Sequence, residues 1–276
     1  MHLNFPGHVA YFHLNTTGAH PSPTLLTMHS DFTDYQGGPD TLVGQVMRSA
    51  DWITAVSKAT LADTLQLLPE VADRSCVLYN GVRAPGLAPE PLRFDAPRIL
   101  CIGRVVHEKG FDVALNAFAS LVERFPRARL VIAGDGLVRR ALEEHAATLG
   151  LSGSIEFTGW INPEEVPALM NTCALVVVPS QYREPFGLVA VEAAQMCRPV
   201  VAARVGGLAE AVADGQTGLL FANEDSDALA GAIAFLLDHP DTARSMGEAG
   251  RVRALEEFGF DRFITCALSM SVLSPT

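Results

Sequence analysis

Short apolar runs alternate with helical patterns over most of the chain beyond residue 97. The runs have the length of buried strands and lie at 98–103, 128–133, 154–158, 174–178, 199–202 and 218–221. The helical patterns lie near 110–124, 137–149, 163–171, 187–196, 207–213, 225–238, 241–258 and 260–273. Alternation of this kind predicts an α/β fold, with a parallel sheet covered by helices on both faces.

A shorter α/β pattern precedes this region. It predicts strands at 23–29, 52–57 and 75–80, with helices near 7–15, 40–49 and 58–67. A proline-rich stretch at 84–97 separates the two patterns, because its prolines and glycine disfavour regular structure. We therefore predict a partial front domain at 1–86, a linker at 87–97, a complete domain at 98–257, and a C-terminal helix and tail at 258–276.

The charge balance limits the classes of partner. The chain has 31 acidic and 20 basic residues, a formal net charge of −11, which argues against nucleic acid or an anionic membrane as the main partner. An anionic ligand would then need a local basic pocket. No apolar stretch reaches the roughly 18 residues of a membrane span, and the first residues resemble no signal peptide. Peripheral membrane contact stays open.

Cysteine and histidine usage predicts no metal site and no cofactor. The five cysteines form no Cys-x-x-Cys pair and lie mostly in apolar runs, which favours free thiols and a reducing cytoplasm. Five histidines fall in the first 29 residues, but their spacing matches no zinc pattern.

Two carboxylates indicate a nucleotide-sugar site. Glu184 follows the strand at 174–178, at the edge of a parallel sheet where ligands bind. Glu192 lies in an otherwise apolar helix, so its charge needs hydrogen-bond donors, and a ribose diol offers two. The alternative interpretation is structural: Glu192 would serve the helix dipole, and Glu184 would belong only to a turn.

A basic loop supplies the predicted anion site. Gly103 allows a tight turn after the strand at 98–103, and Arg104 and Lys109 can together bind one diphosphate. The helix start at Gly187 offers backbone amides to the same group. In the alternative interpretation, Arg104 and Lys109 are solvated charges that pair with Glu108 or Asp112.

Five motifs follow one another beyond residue 97. They are Gly-Arg-x-x-x-Glu-Lys-Gly at 103–110, Ile-Ala-Gly-Asp-Gly at 132–136, Phe-Thr-Gly-Trp at 157–160, Pro-Ser-x-x-x-Glu-Pro-Phe-Gly-x-x-x-x-Glu-Ala at 179–193, and Gly-Gly-Leu-Ala-Glu at 206–210 with Asp-Gly-x-Thr-Gly-Leu-Leu at 214–220. In order and spacing they resemble those of the retaining GT-B glycosyltransferases of family 4. The front region resembles the same family more loosely, through 26–29, 50–57 and 77–82.

The resemblance implies two Rossmann-like domains and a role for each matched residue. Arg104 and Lys109 would hold the donor diphosphate, Glu192 the ribose hydroxyls and Glu184 the sugar hydroxyls. The remaining implied donor contacts are the backbone amides of Phe186, Gly187 and Leu188, the base neighbours Gly159 and Trp160, the turn residue Gly103, and the pocket-closing Gly134 and Gly136. His29 would reach the sugar across the cleft, although a histidine that merely caps a strand end is the alternative.

The resemblance also implies an activity: transfer of a sugar from a nucleoside-diphosphate sugar to an acceptor hydroxyl, with retention and without metal. The family's front domain normally begins with a strand and a glycine-rich loop, which Gly7 and Gly18 do not form. Three explanations for this difference stay open. The given start lies too far along the chain, a homo-oligomer or second chain covers the front domain, or the protein has lost turnover. A non-catalytic nucleotide-sugar-binding module therefore stays open, and the glutamate pair argues against a related epimerase.

Overall fold

The computed structural model of the protein describes residues 2–4, 23–29, 40–182 and 184–271. Within them the chain forms two separate parallel sheets, one on each side of the proline-rich stretch. The helix predicted near 7–15, Gly7, Gly18 and the side chains of the histidines at 2, 8, 13 and 20 lie outside what is described. The two sheets confirm the predicted α/β fold class.

The front sheet has four parallel strands in the order β1-β2-β3-β4. The strands and their helices are β1 (His2–Leu3), β2 (Leu25–Met28), α1 (Leu42–Ser49), β3 (Trp52–Ala55), α2 (Lys58–Leu67) and β4 (Ser75–Val77). β1 was not predicted, because two residues are too few to show a pattern. Ser57 begins α2 as its N-cap, where its hydroxyl accepts a hydrogen bond from the Thr60 amide at 3.0 Å.

The back sheet has six parallel strands in the order β10-β9-β8-β5-β6-β7. The strands are β5 (Arg98–Ile102), β6 (Arg129–Ala133), β7 (Ile155–Gly159), β8 (Leu175–Val178), β9 (Val200–Ala203) and β10 (Gly218–Phe221). The helices are α3 (Phe111–Leu121), α4 (Arg139–Thr148), α5 (Val166–Asn171), α6 (Leu188–Gln195), α7 (Leu208–Ala211), α8 (Ser226–Asp238), α9 (Pro240–Glu257) and α10 (Phe260–Ser271). Each strand predicted in this region is present within two residues of its predicted bounds.

Hydrophobic cores cover both faces of the back sheet. In β5, Ile99 and Cys101 pack with Phe118 on one face, while Leu100 between them packs with Val191 on the other. Successive strand side chains point to opposite faces, so a strand buried on both faces reads as a continuous apolar run. Complete burial of a leucine stabilises the fold by about 1.5–3 kcal/mol.

The strand order of the back sheet reverses between β5 and β8. From β5 the chain continues outward to β6 and β7, whereas from β8 it continues in the opposite direction to β9 and β10. Loops that leave the carboxyl ends of β5 and β8 therefore diverge and open a crevice between them. The basic loop follows β5 and the Glu184 loop follows β8, so the topology places both at this crevice.

The proline-rich stretch is fastened to the back sheet. Arg198 is 1% exposed and donates hydrogen bonds to the carbonyls of Glu90, Cys173 and Met196. The side chain of Asn171 accepts from the Glu90 amide at 3.0 Å and donates to the Ala88 carbonyl at 2.9 Å. Burial lowers the pKa of Arg198, and the carbonyl dipoles compensate its charge.

Candidate functional site

A cavity of about 450 Å³ occupies the crevice where the two sheets meet. The basic loop lines it with Gly103, Arg104 and Lys109, and the loop after β8 lines it with Glu184, Phe186, Gly187 and Leu188. The front sheet adds His29, Val56 and Asn80, each just beyond the carboxyl end of a strand. The carboxyl ends of strands from both sheets therefore enclose one space.

Lys109 and Glu184 form an ion pair inside this cavity. The Lys109 Nζ lies 2.5 Å from Glu184 Oε2, and the Ser180 hydroxyl donates to the same oxygen at 3.2 Å. The side chains are only 30% and 15% exposed, so water screens the pair weakly. Lys109 forms no ion pair with Glu108 or Asp112 in the described residues, and the carboxylate of Asp112 accepts a hydrogen bond from Gln181.

Arg104 lines the cavity as an exposed cation. Its side chain makes no hydrogen bond or ion pair with any residue that the structure describes. Lys109 is balanced by Glu184, whereas Arg104 brings to the described cavity lining a positive charge that no described carboxylate balances. A guanidinium is suited to bidentate binding of phosphate.

The start of α6 also faces the cavity. Its N-cap is Gly187, at φ 94°, which has no side chain to bond the first amides of the helix. Gly187, Leu188 and Val189 line the cavity, so the positive end of the helix dipole points into it. Together with Arg104 and Lys109, this helix start gives an acidic protein a local anion site.

Glu192 lies in a second cavity. It follows Leu188 by one turn of α6 and lines a space of about 630 Å³ together with Arg83, Pro85 and Met170. Its carboxylate accepts no hydrogen bond from the described residues, and burial raises its pKa above the ordinary value. The structure therefore places the half-buried carboxylate beside the second cavity and does not bring it into the cavity of Arg104.

Gly134 and Gly136 support the basic loop from behind. Gly134 has φ 129° and donates from its amide to the Gly159 carbonyl at 2.8 Å. A side chain at Gly134 would collide with the carbonyl oxygen of Gly103, and one at Gly136 with that of Val105. Neither lines the described cavities, nor do Gly159 and the 67% exposed Trp160, so their donor roles stay predictions.

Several residues that shape the site were not among the predicted site residues, namely Gln181, Tyr79 and Phe258. Gln181 donates from its side chain to both carboxylate oxygens of Asp112, at 3.0 and 3.2 Å, and ties the loop after β8 to α3. Tyr79, Phe186 and Phe258 form an aromatic cluster with ring centroids 5.4–6.0 Å apart. Only the Asn-Gly-Val strand end at 80–82 indicated that this part of the chain reaches the site.

The residues that the structure describes contain no cluster of three or more His, Cys, Asp or Glu side chains that could hold a metal ion. None of the described helices combines the length and the apolar character that crossing a bilayer requires.

Known proteins resemble this chain in sequence. The family described as Glycosyl transferases group 1 matches residues 88–253. Glycogen synthase of Mycobacterium tuberculosis is 31% identical over 255 residues, which cover 88% of this chain and 61% of that protein. D-inositol 3-phosphate glycosyltransferase of Streptomyces scabiei is 34% identical, over 79% of this chain and 52% of that protein. The chain thus spans about half to three fifths of these relatives.

Solved structures share the fold. The crystal structure of HepE from Anabaena, in complex with UDP, superposes with a TM-score of 0.87 at 23% identity, over 99% of this chain and 78% of that one. Sucrose-phosphate synthase from Thermosynechococcus elongatus gives a TM-score of 0.84 at 27% identity, over 98% and 72%. The fold is of the GT-B type, and the chain belongs to the family Glycosyl transferases group 1.

Proposed function

We propose that this chain binds a nucleoside-diphosphate sugar in the cavity between the two sheets and transfers the sugar to an acceptor hydroxyl. The observation that carries the proposal is the convergence of Arg104, the Lys109–Glu184 ion pair and the amides at the start of α6 on one space. Cations and helix amides suit a diphosphate, and a carboxylate beside them suits the hydroxyls of the attached sugar. The UDP complex of HepE supports this class of ligand.

The diphosphate would bind to Arg104, Lys109 and the amides of Gly187 and Leu188. Negative charge develops on the diphosphate as the sugar leaves, so fixed positive groups lower the barrier. Lys109 can keep its contact with Glu184 while it meets a phosphate oxygen, because an ammonium has three donors. With these groups neutralising the leaving group, we propose that no metal ion is needed.

The ribose would extend along α6 toward Glu192. Leu188 and Glu192 lie on one side of the helix, because they are four residues apart, and they line adjacent cavities. A diol donates two hydrogen bonds to a carboxylate, which favours the charged form. Since burial raises the pKa of Glu192 in the unliganded protein, nucleotide affinity should increase as pH rises through that pKa.

Glu184 would bind the sugar hydroxyls, with His29 reaching the sugar from the front sheet. The acceptor hydroxyl would then enter on the face that the diphosphate leaves, which gives retention of the anomeric configuration. Phe186 would place its amide near the sugar, while Gly159 and Trp160 would lie beside the base and Gly134 and Gly136 would close the pocket. The front sheet would face the acceptor.

The test measures release of nucleoside diphosphate from UDP-glucose, GDP-mannose and ADP-glucose, with water, glycogen or inositol 3-phosphate as acceptor. We expect release from at least one donor, unchanged by a chelator, and a product of the donor's anomeric configuration by NMR. Glu184→Gln should lower turnover about 10²- to 10³-fold, because it removes a charge next to the reacting sugar.

Glu144→Gln is the matched control, since Glu144 pairs with Arg140 on the exposed face of α4. Glu184→Gln should still bind UDP or GDP as well as the wild type, which shows that it is folded. Saturable nucleotide binding without release from any donor would contradict the transferase and favour a binding module. Absence of binding would contradict the proposed site as a whole.

A further inference from the structure

Glu210 joins the two sheets. It belongs to α7 in the back sheet's half of the chain, yet its carboxylate accepts hydrogen bonds from the backbone amides of Lys58 and Ala59, both at 2.9 Å. The Tyr79 hydroxyl donates to the same carboxylate at 3.0 Å. Glu210 therefore does not serve the start of its own helix but the start of α2 in the front part of the chain.

The chemistry of this contact is favourable. The first amides of a helix have no partner within it, and the positive end of the helix dipole attracts a carboxylate. Lys58 and Ala59 are the first two residues of α2, so Glu210 satisfies two such amides at once. Hydrogen bonds to an ionised acceptor are stronger than neutral ones, which makes this a specific contact between the sheets.

The backbone that carries Glu210 touches the loop that carries Glu184. The amide of Gly207, just before α7, donates to the carbonyl of Glu184 at 2.7 Å. A side chain at Gly207 would lie 2.6 Å from the Cα of Phe186, so the two backbones meet without a side chain between them. A shift of α7 would therefore move the Glu184 loop directly.

The same loop also contacts the front part of the chain. Thr60 in α2 donates from its hydroxyl to the Pro185 carbonyl at 3.4 Å, and the ring of Tyr79 packs against Phe186 at 6.0 Å. On the far side, the Arg253 guanidinium donates to the carbonyls of Glu210 and Ala211, at 2.7 and 2.9 Å, and fixes the end of α7. The start of α2 thus rests on both Glu210 and the Glu184 loop.

We propose that Glu210 is a positioning residue for the transfer reaction. It holds the start of α2 against the Glu184 loop and thereby sets the front wall of the cavity, with His29, at a fixed distance from Glu184. Glu210 acts through the backbone of Gly207 and through α2, not by contact with the substrate. This inference rests on the proposed transferase function.

The first experiment compares Glu210→Ala, Glu210→Gln and the control Glu256→Gln with the wild type, using UDP-glucose, GDP-mannose and ADP-glucose as donors. Glu256 lies on the exposed side of α9 and touches no part of the site. We expect Glu210→Ala to lower kcat about 10- to 100-fold, because misplacement of a catalytic group by about 1 Å has effects of that size. The affinity for UDP or GDP should stay within about threefold of wild type.

The kcat of Glu210→Gln should lie between those of the wild type and Glu210→Ala, because an amide oxygen still accepts a hydrogen bond but carries no charge. The proposal is overturned if Glu210→Ala loses no more kcat than Glu256→Gln. It is equally overturned if nucleotide affinity falls as much as kcat, since that would indicate general damage to the fold.

Hydrogen exchange tests the contact independently of turnover. In Glu210→Ala the amides of residues 58 and 59 should exchange faster than in the wild type, while α9 keeps its protection. If the wild type releases nucleoside diphosphate from none of the donors, the proposed function is wrong. Hydrogen exchange then tests only whether Glu210 holds the start of α2. Unchanged exchange at residues 58 and 59 in Glu210→Ala would overturn the inference in either case.

Discussion

The two sheets contribute unequally to the site. The back sheet has six strands with a core on each face and supplies both loops that carry charge into the cavity. The front sheet has four strands, one core cluster, and three described residues at the cavity: His29, Val56 and Asn80. The charges of Arg104, Lys109 and Glu184 therefore come from the back sheet, while the front sheet forms the opposite wall of the cavity.

Individual side-chain and backbone contacts connect the two sheets within the described residues. Tyr79 of the front part packs edge to face on Phe258 at the end of α9, and the Val82 amide donates to the Phe258 carbonyl at 2.8 Å. Gln195 of α6 donates to the Val82 carbonyl at 3.1 Å. The geometry of the cavity depends on these few contacts, so their removal should affect turnover more than nucleotide binding.

The largest effect on nucleotide binding should come from a substitution in the back-sheet wall of the cavity. Arg104→Ala should weaken UDP or GDP binding about 10- to 100-fold, because a hydrogen bond to a charged group contributes about 1.5–3 kcal/mol. The matched change on the front wall, His29→Ala, should leave nucleotide binding within about threefold and lower transfer instead. Calorimetric titration and turnover assays measure the two effects.

Arg104 is exposed and its side chain makes no hydrogen bond or ion pair with the described residues, so Arg104→Ala should keep the wild-type Tm. Equal loss of nucleotide affinity in both variants would show that the front wall also holds the diphosphate. The assignment of nucleotide binding to the back sheet alone would then be wrong.

At Glu192 we expect a smaller effect, in which one substitution weakens nucleotide binding but stabilises the unliganded protein. Glu192→Gln should lower nucleotide affinity about tenfold, because an amide replaces the charged carboxylate that we propose accepts hydrogen bonds from the ribose. It should also raise the Tm of the unliganded protein at neutral pH, because it removes a buried charge. Thermal unfolding between pH 4 and 8, with and without UDP or GDP, measures both.

The pH dependence of this difference follows from the raised pKa of Glu192. The wild type keeps its full stability below the ordinary carboxyl pKa of 4.5 and loses part of it as pH rises through the higher pKa of the folded state. The Tm advantage of Glu192→Gln should therefore be absent at low pH and grow toward neutrality. An advantage that is constant over this range would refute a titrating, desolvated carboxylate.

The smallest effect is expected at the contact between the sheets. Tyr79→Phe keeps the aromatic packing but removes the hydrogen bond to Glu210, which should lower the free energy of unfolding by about 1 kcal/mol. Burial and Glu210 raise the pKa of Tyr79 to about 12, so the stability it contributes is complete below pH 10 and declines as pH rises toward 12. The difference between wild type and Tyr79→Phe should shrink over that range.

Urea unfolding at pH 9 and pH 11 measures this difference. Tyr182→Phe is the control, because the Tyr182 side chain is 61% exposed and makes no hydrogen bond with the described residues. A loss in Tyr79→Phe no larger than in Tyr182→Phe would show that the hydroxyl contributes nothing to the contact between the sheets.

The sequence predicted the site best where charged residues directly follow the end of a strand. Gly103, Arg104, Lys109 and Glu184 were predicted together, because the loops after β5 and β8 leave the same edge of a parallel sheet. The partial burial of Glu192 was also predictable, since apolar neighbours surround it on α6. The confirmed GT-B fold followed from motifs whose order and spacing are specific.

Other features of the site could not be predicted. The sequence predicted that Lys109 and Glu184 bind one ligand, but not that they pair with each other. Glu210 lies in the first turn of α7, but the structure shows its carboxylate on the start of a different helix, far away in the sequence. No pattern in the sequence predicted the hydrogen bonds of Arg198 and Asn171 to the backbone of residues 88–90 either.

By itself the sequence determined which segments are strands and helices, which loops follow the strands, and which of those loops carry charge. These properties are local, because the alternation of buried and exposed positions reflects the geometry of each element. Only the tertiary structure decided the Lys109–Glu184 pair, the separate cavity of Glu192 and the contact of Glu210 with α2. Those depend on how side chains from distant segments pack, and a pattern that repeats over a few residues holds no information on packing across the fold.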